Sequence, residues 1–244
     1  MTALSPRRTF SGTALKTIAC ITMLVDHIGA SCIEAGILTP GLDAGILSQD
    51  TLSAYPLYRL DMVLRFTGRL AFPLFCFLLV EGFVHTRSRR RYAGRMLLFA
   101  FLSEVPFDLA FFRTPFYWEH QNVYWTLLLG LCALGCLQRF GPQSVPGAAG
   151  TFGCAVLAEL LRTDYGALGV LLVMLLFFFR EDRARQCLLG ALAVCYELPA
   201  PLAMLPAFYY NGTRGRCAPW EARAFYLFYP VHLAVLAALT NTLF

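Results

Sequence analysis

Ala14-Leu-Lys-Thr-Ile-Ala-Cys-Ile-Thr-Met-Leu-Val-Asp-His-Ile-Gly-Ala-Ser-Cys-Ile33 is the stretch whose reading decides the fold. As a helix its twenty residues rise about 30 Å, the thickness of a bilayer's hydrocarbon core. Yet Asp26 and His27 stand inside it. A charge at membrane depth is expensive, so such residues face a polar cavity or a partner helix. The stretch reads as a membrane span that carries a functional site.

The rest of the chain fits that reading. Of 244 residues, 58% are hydrophobic and only 14% charged, and the mean hydropathy is +0.59. These values lie on the apolar side of soluble domains. The apolar runs are continuous and lack the alternation of a transmembrane barrel. About nine such segments follow one another: Ala14–Ile33, Arg69–Val84 (led in by the mixed helix Tyr58–Thr67), Ala93–Phe112, Asn122–Phe140, Ala148–Leu161, Tyr165–Phe179, Arg185–Glu197, Ala200–Tyr210 and Ala222–Leu243. The predicted fold is an all-α polytopic bundle of about nine (eight to ten) spans, forming a single domain over residues 1–244. Pro199 and Pro201 separate the two shortest pieces, and joining those pieces gives eight spans.

Net charge is +5, and Lys16 is the only lysine among 20 basic residues. The arginines sit at segment ends and in short turns. That pattern points to membrane orientation and away from nucleic acid. Arg7, Arg8 and Lys16 precede or open the first span, whereas the loop Glu34–Leu57 has three acids. With nine spans the Arg87–Arg95, Arg180–Arg185 and Asn211–Arg216 clusters all fall on the N-terminal, cytoplasmic side of a bacterial inner membrane. The nine cysteines form no CxxC pair and read as small core residues, with no metal site expected. Residues 1–13 do not read as a cleavable leader.

His27 lies about 20 Å along its helix, just beyond the midplane. A neutral imidazole there suits general-base work; the plainer alternative is a histidine bonded to a neighbouring helix. Asp26 is adjacent, so it points about 100° away and is a poor direct orienter of His27. Glu104 and Asp108, four apart on the third span, are the candidate orienters. Asp26 has Arg69 or Arg65 as candidate ion-pair partners. Arg69 itself reads as a clamp for a carbonyl or an acid, or as an arginine snorkelling to the interface. Tyr226, Tyr229 and His232 form a polar stripe three apart, loosened by Pro230, which brings His232 within reach of His27. The expectation is one water-accessible pocket, open to the cytosol, where these groups meet. Asn122, Thr126 and Tyr229 are candidates to hold a carbonyl oxygen. Arg87, Arg90, Arg91 and Arg95, and the glycine-bearing turn with Asn211, Arg214 and Arg216, suit phosphate or anionic lipid.

Taken together, the motifs resemble the TraX family. The resemblance is carried by Ala14-Leu15-Lys16 leading to Met23 and Asp26-His27-Ile28-Gly29, by Gly68-Arg69-Leu70-Ala71-Phe72-Pro73-Leu74-Phe75, and by Val80-Glu81-Gly82-Phe83. Tyr92 with Arg95, Pro106-Phe107-Asp108, Asn122-Val123 with Thr126-Leu127, Asp164-Tyr165-Gly166, Tyr210-Asn211-Gly212 with Arg214-Gly215, and Phe225 to Leu233 continue it in order over nearly the whole chain. The family's named member acts in N-terminal acetylation of conjugative pilin. The fold resembles a broader set of transmembrane acyltransferases that includes the lysosomal heparan glucosaminide N-acetyltransferase. The resemblance implies acetyl transfer across the membrane from acetyl-CoA, held by the arginine clusters, to a peptide, sugar or lipid-linked acceptor (an amine or a hydroxyl). His27 would be the base. Asp26, Arg69, Glu104, Asp108 and His232 would set protonation and geometry. The rival readings are a proton-coupled transporter and a non-catalytic pilus or envelope assembly protein.

Overall fold

In the computed structural model, residues 9–243 are described, so Arg7 and Arg8 and their part in the orientation argument lie outside the described residues. The chain is all-helical, with no strand among those residues. Two isolated parallel bridges, Phe10 with Tyr210 and Gln121 with Thr163, tie loops together.

The opening run is longer than the sequence suggests. Helix α1 (Gly12–Ile28) starts where the Ser11 hydroxyl accepts from the Ala14 N–H. It passes directly into a π-helical stretch, Gly29–Leu38, and then α2 (Thr39–Asp43). The predicted acidic loop from Glu34 is therefore helical as far as Asp43. The widened π turns begin two residues after His27, a common marker of a site in a helix. Gly29 matters here because an added Cβ would lie 2.8 Å from Asp61 Oδ1.

Next come α3 (Pro56–Gly68), α4 (Ala71–His85) and α5 (Arg89–Phe111). They are followed by α6 (Val123–Phe140), α7 (Val145–Leu160) and α8 (Gly166–Phe178). The last are α9 (Arg183–Ala193), α10 (Met204–Phe208) and α11 (Pro219–Leu243). Side-chain caps at Ser88, Asn122, Ser144 and Asp182 set four of the starts.

Four helical runs are long and apolar enough to cross a membrane: Gly12–Asp43, Pro56–His85, Val123–Phe140 and Trp220–Leu243. Segments predicted as spans at Arg185–Glu197 and Ala200–Tyr210 shrink to α9 and to a 3₁₀ turn with α10. At 1.5 Å per residue these rise only about 16 and 8 Å. Prolines at 199, 201 and 206 stop them from propagating.

Helix α4 is apolar all round from Ala71 to Val80 and lies at the centre, against α1, α6 and α8. Leu15, Leu74, Phe77, Val80, Val173 and Leu176 are fully buried around it. Helix α5 turns Leu98, Phe101 and Leu102 outward, the surface a bilayer would cover. The cysteines divide: Cys20, Cys76 and Cys187 are buried as expected, but Cys132 and Cys195 are exposed.

Candidate functional site

One face of the opening run, stepping along helical spacing through Gly12, Lys16, Cys20, Met23, Asp26, His27, Ala30 and Glu34, borders two cavities in succession. The half towards the N-terminus lines a basic cavity of about 570 Å³. The other half lines an acid–imidazole cavity of about 380 Å³. Met23, Phe75 and Val123 border both, so these three side chains form the wall between them. The single shared pocket expected from the sequence is thus two cavities back to back.

His27 borders the second cavity, and its Nδ1 is 2.7 Å from Nε2 of His232, which lines neither cavity. The rings lie 11° from parallel with centroids 5.0 Å apart, the geometry of an in-plane edge-to-edge hydrogen bond rather than of stacking. His232 Nδ1 is 2.7 Å from the Phe228 carbonyl. A carbonyl only accepts, so His232 Nδ1 carries the proton and its Nε2 offers a lone pair. His27 Nδ1–H must then donate to that lone pair. In neutral His27 the Nε2 is then left with its lone pair at the cavity, 4.0 Å from Asp26 Oδ2. With both histidines neutral, the series fixes one tautomer and one basic nitrogen. Tyr229 packs edge-on to both rings, at 5.9 and 5.6 Å, and its neighbour on the stripe, Tyr226, borders the basic cavity with it.

One oxygen of the Asp26 carboxylate is engaged, while Oδ1 is buried with no hydrogen-bond partner among the described residues. Oδ2 accepts from Arg65 Nη1 at 2.6 Å, and Arg65 Nε also reaches Glu34 at 3.7 Å. Of the two arginines weighed for Asp26, Arg65 is the partner. Arg69 pairs instead with Glu197, at 2.8 Å, and borders the same cavity. Asp26 fits against α3 only because position 68 is glycine, since a Cβ there would run into the Asp26 carboxylate.

The predicted orienters of His27 are elsewhere. Glu104 Oε2 accepts from Asn122 Nδ2 and, at 2.7 Å, from Trp125 Nε1. Asp108 Oδ2 accepts from the Tyr117 N–H at 2.9 Å. Helical periodicity put both acids on one face of α5, but that face meets the α5–α6 loop and the start of α6. Asn122 and Thr126 are likewise taken up. Asn122 also donates to the Ala100 carbonyl and caps Tyr124, while Thr126 bonds Thr163. Both are fully buried and neither borders a cavity, so they do not hold a carbonyl there.

Neither His120 nor Asp164 has a role in the sequence reading. They meet at 3.1 Å and both border the acid–imidazole cavity. The hydrogen bond to Asp164 raises the His120 pKa, helped by the charges of Asp164, Glu104 and Asp108 and opposed by burial. Each residue lies in a short polar turn, where an acid or a histidine is unremarkable. A usable signal was topological: the α5–α6 and α7–α8 connections lie on one side of any up-down bundle.

In the basic cavity Lys16, Arg95 and Arg214 converge. Among the described residues none of them is ion-paired to a carboxylate, unlike Arg69 and Arg183, and Arg95 lies 5.7 and 5.6 Å over the Tyr92 and Tyr226 rings. The turn bearing Arg214 is pinned to the start of α1, where Gly12 and Thr13 N–H groups donate to the Thr213 and Arg214 carbonyls at 2.8 and 2.9 Å. Arg87, Arg90, Arg91, Asn211 and Arg216 do not border this cavity. Asn211 Oδ1 accepts from the Thr213 N–H and hydroxyl within its own turn. Lys16, read only as an orientation charge, is the residue that joins Arg95 and Arg214.

These features define a helical membrane protein with charged and imidazole groups buried at the meeting of two cavities. Residues 11–240 match the family described as "TraX protein", and the chain belongs to that family. It is similar to the "Probable fimbrial assembly protein FimC, serogroup H1" of Dichelobacter nodosus, with 32% identity over 258 aligned positions, covering 94% of this chain and 95% of that protein. No solved structure matches.

Proposed function

We propose that this protein is an acetyl-CoA-dependent transmembrane acetyltransferase, with the donor in the basic cavity and the acceptor in the acid–imidazole cavity. The observation that carries the reading is the shared wall of Met23, Phe75 and Val123, with a bare imidazole nitrogen bordering one side and three unpaired cations the other. Unpaired cations suit the phosphates of a coenzyme A. Phe225, which Lys16 Nζ approaches at 5.8 Å, and Tyr226 offer aromatic faces beside them. The wall turns on Met23, whose unbranched thioether side chain repacks easily enough to admit a thioester arm.

In the reaction, the acceptor nitrogen or oxygen attacks the thioester carbonyl, and His27 Nε2 takes its proton. His232 holds the His27 tautomer, and the imidazolium then returns the proton to the departing thiolate. Asp26, paired with Arg65, stands beside His27, where its charge would steady that imidazolium. On the same proposal the chain is one multi-pass domain in the bacterial inner membrane. The N-terminus and basic cavity face the cytosol, and the outer cavity receives a peptide, sugar or lipid-linked acceptor. The relative's name favours one further reading, a non-catalytic part in fimbrial assembly.

The test is purified protein with radiolabelled acetyl-CoA and candidate acceptors. Label should pass to the acceptor with wild type and not with His27→Ala. Coenzyme A binding that is absent, or label transfer unchanged in His27→Ala, would leave assembly or transport as the better account.

A further inference from the structure

The acid–imidazole cavity holds a second histidine–carboxylate couple that the steps above do not use. His120 and Asp164 sit at its rim, with side chains 38% and 33% exposed, against 13% for His27. The couple is held firmly. Gln121 N–H donates to the Arg162 carbonyl and Asp164 N–H to the Gln121 carbonyl, at 3.0 and 2.9 Å. Arg162 also pairs with Glu119 at 3.3 Å. Between the two histidines lies a strip of α5. Phe111 packs edge-on to His27 at 5.1 Å, Phe107 lies parallel to His120 at 5.8 Å, and the two phenyl rings are 5.0 Å apart. His120 Nε2 faces Asp164, and its Nδ1 makes no hydrogen bond among the described residues.

An amine acceptor in water is an ammonium. Carrying that charge into a cavity at membrane depth is costly, and an ammonium has no lone pair with which to attack. N-acylation therefore has to dispose of two protons, whereas O-acylation disposes of one. On the acetyltransferase reading, we propose that His120, backed by Asp164, takes the first proton from an ammonium acceptor at the rim of the cavity, and that His27 takes the second during attack. In balance, the ammonium gives one proton to His120 Nδ1 and leaves as free amine. The amine nitrogen then forms a bond to the thioester carbon as the carbon–sulfur bond breaks, and its second proton passes through His27 to the thiolate. His120 afterwards releases its proton to water. The groups around His120 are Asp164 on the α7–α8 connection, and Glu104 and Asp108 on α5; across the cavity stand Asp26, Glu34, Arg65 and Arg69. The carboxylates outnumber the arginines, which suits a cation on arrival.

The experiment measures kcat/KM from pH 6 to 9 with acetyl-CoA and a short peptide bearing a free N-terminal amine, for wild type, His120→Gln and Asp164→Asn. Glutamine still donates to Asp164, so the turn is retained while the titrating nitrogen is lost. His120→Gln should lose about tenfold at pH 7, the share of an α-amine that is free base there, and should recover as the pH passes about 8. Asp164→Asn should move the acid limb of the profile to lower pH, because it removes what raises the His120 pKa. A His120→Gln loss of the same factor at every pH would make His120 a structural latch and overturn the proposal while leaving His27 as base. Transfer by wild type only to hydroxyl acceptors would also overturn it. No transfer by wild type to any acceptor would instead bring down the acetyltransferase reading itself.

Discussion

The two cavities share a helix face and a wall, yet treat their cations in opposite ways. In the basic cavity Lys16, Arg95 and Arg214 stand without carboxylate partners. In the acid–imidazole cavity Arg65 is bound to Asp26 and Arg69 to Glu197. An arginine already paired has its charge spent on structure, while an unpaired one keeps it for an incoming anion. The difference teaches that arginine count alone does not locate an anion site. Arg69 carries a more prominent motif than Lys16, but only Lys16 borders a cavity of free positive charge.

The comparison can be broken most sharply at His27. His27→Ala is expected to lower acetyl transfer by roughly 10²–10⁴-fold while coenzyme A binding persists, since only one cavity is touched. Calorimetric binding beside a transfer assay separates the two, and joint loss would mean that the cavities are not independent. Arg214→Ala should act on the other side, raising the KM for acetyl-CoA about tenfold with kcat held, and the difference from wild type should shrink as salt is added to the buffer.

Gly68→Ala probes the paired side through packing. The new Cβ meets the Asp26 carboxylate, so the Asp26–Arg65 pair must shift, at a cost of about 1–3 kcal/mol in detergent-solubilised unfolding. A neutral result would show that α1 and α3 separate freely there. A smaller effect belongs to the His120–Asp164 couple. The His120 pKa is raised, so the couple's contribution to stability is fully present below the ordinary histidine value and is lost as pH rises through the raised one. Hydrogen exchange at the Gln121 and Asp164 amides should accordingly show protection weakening with rising pH beyond the intrinsic rate, and Asp164→Asn should flatten that trend. The smallest effect is expected from Tyr124→Phe. Pro230 leaves the Tyr226 carbonyl without its helical donor, and Tyr124 Oη supplies one at 3.4 Å. Losing so long a bond should cost about 0.5–1 kcal/mol in the same unfolding experiment.

Reading the sequence found the parts of the site that violate hydropathy. Asp26, His27 and His232 stand out because an apolar run has no other reason to hold them, and the three-residue spacing of Tyr226, Tyr229 and His232 placed them on one stripe. Glu104 and Asp108 stand out for the same reason, but hydropathy says only that a polar group needs a partner. Theirs are Asn122, Trp125 and the Tyr117 amide. His120, Asp164 and Glu197 lie in turns where polarity is ordinary, so hydropathy did not mark them, and the Asp164-Tyr165-Gly166 string gave Asp164 a place in the family pattern but no role.

The chain's own order of residues settled that it is an all-helical membrane protein and that its opening segment carries an acid and an imidazole, because apolar length and the cost of buried charge are local properties. Which nitrogen of His27 is basic, which arginines are free and where one cavity ends and the next begins were decided only by tertiary packing. Each depends on a partner far along the chain: the histidine near the C-terminus, the glutamate beyond α9, and the phenylalanine of α4 that closes the wall. Spacing within a helix fixes a direction, and only the neighbouring helices fix what lies in it.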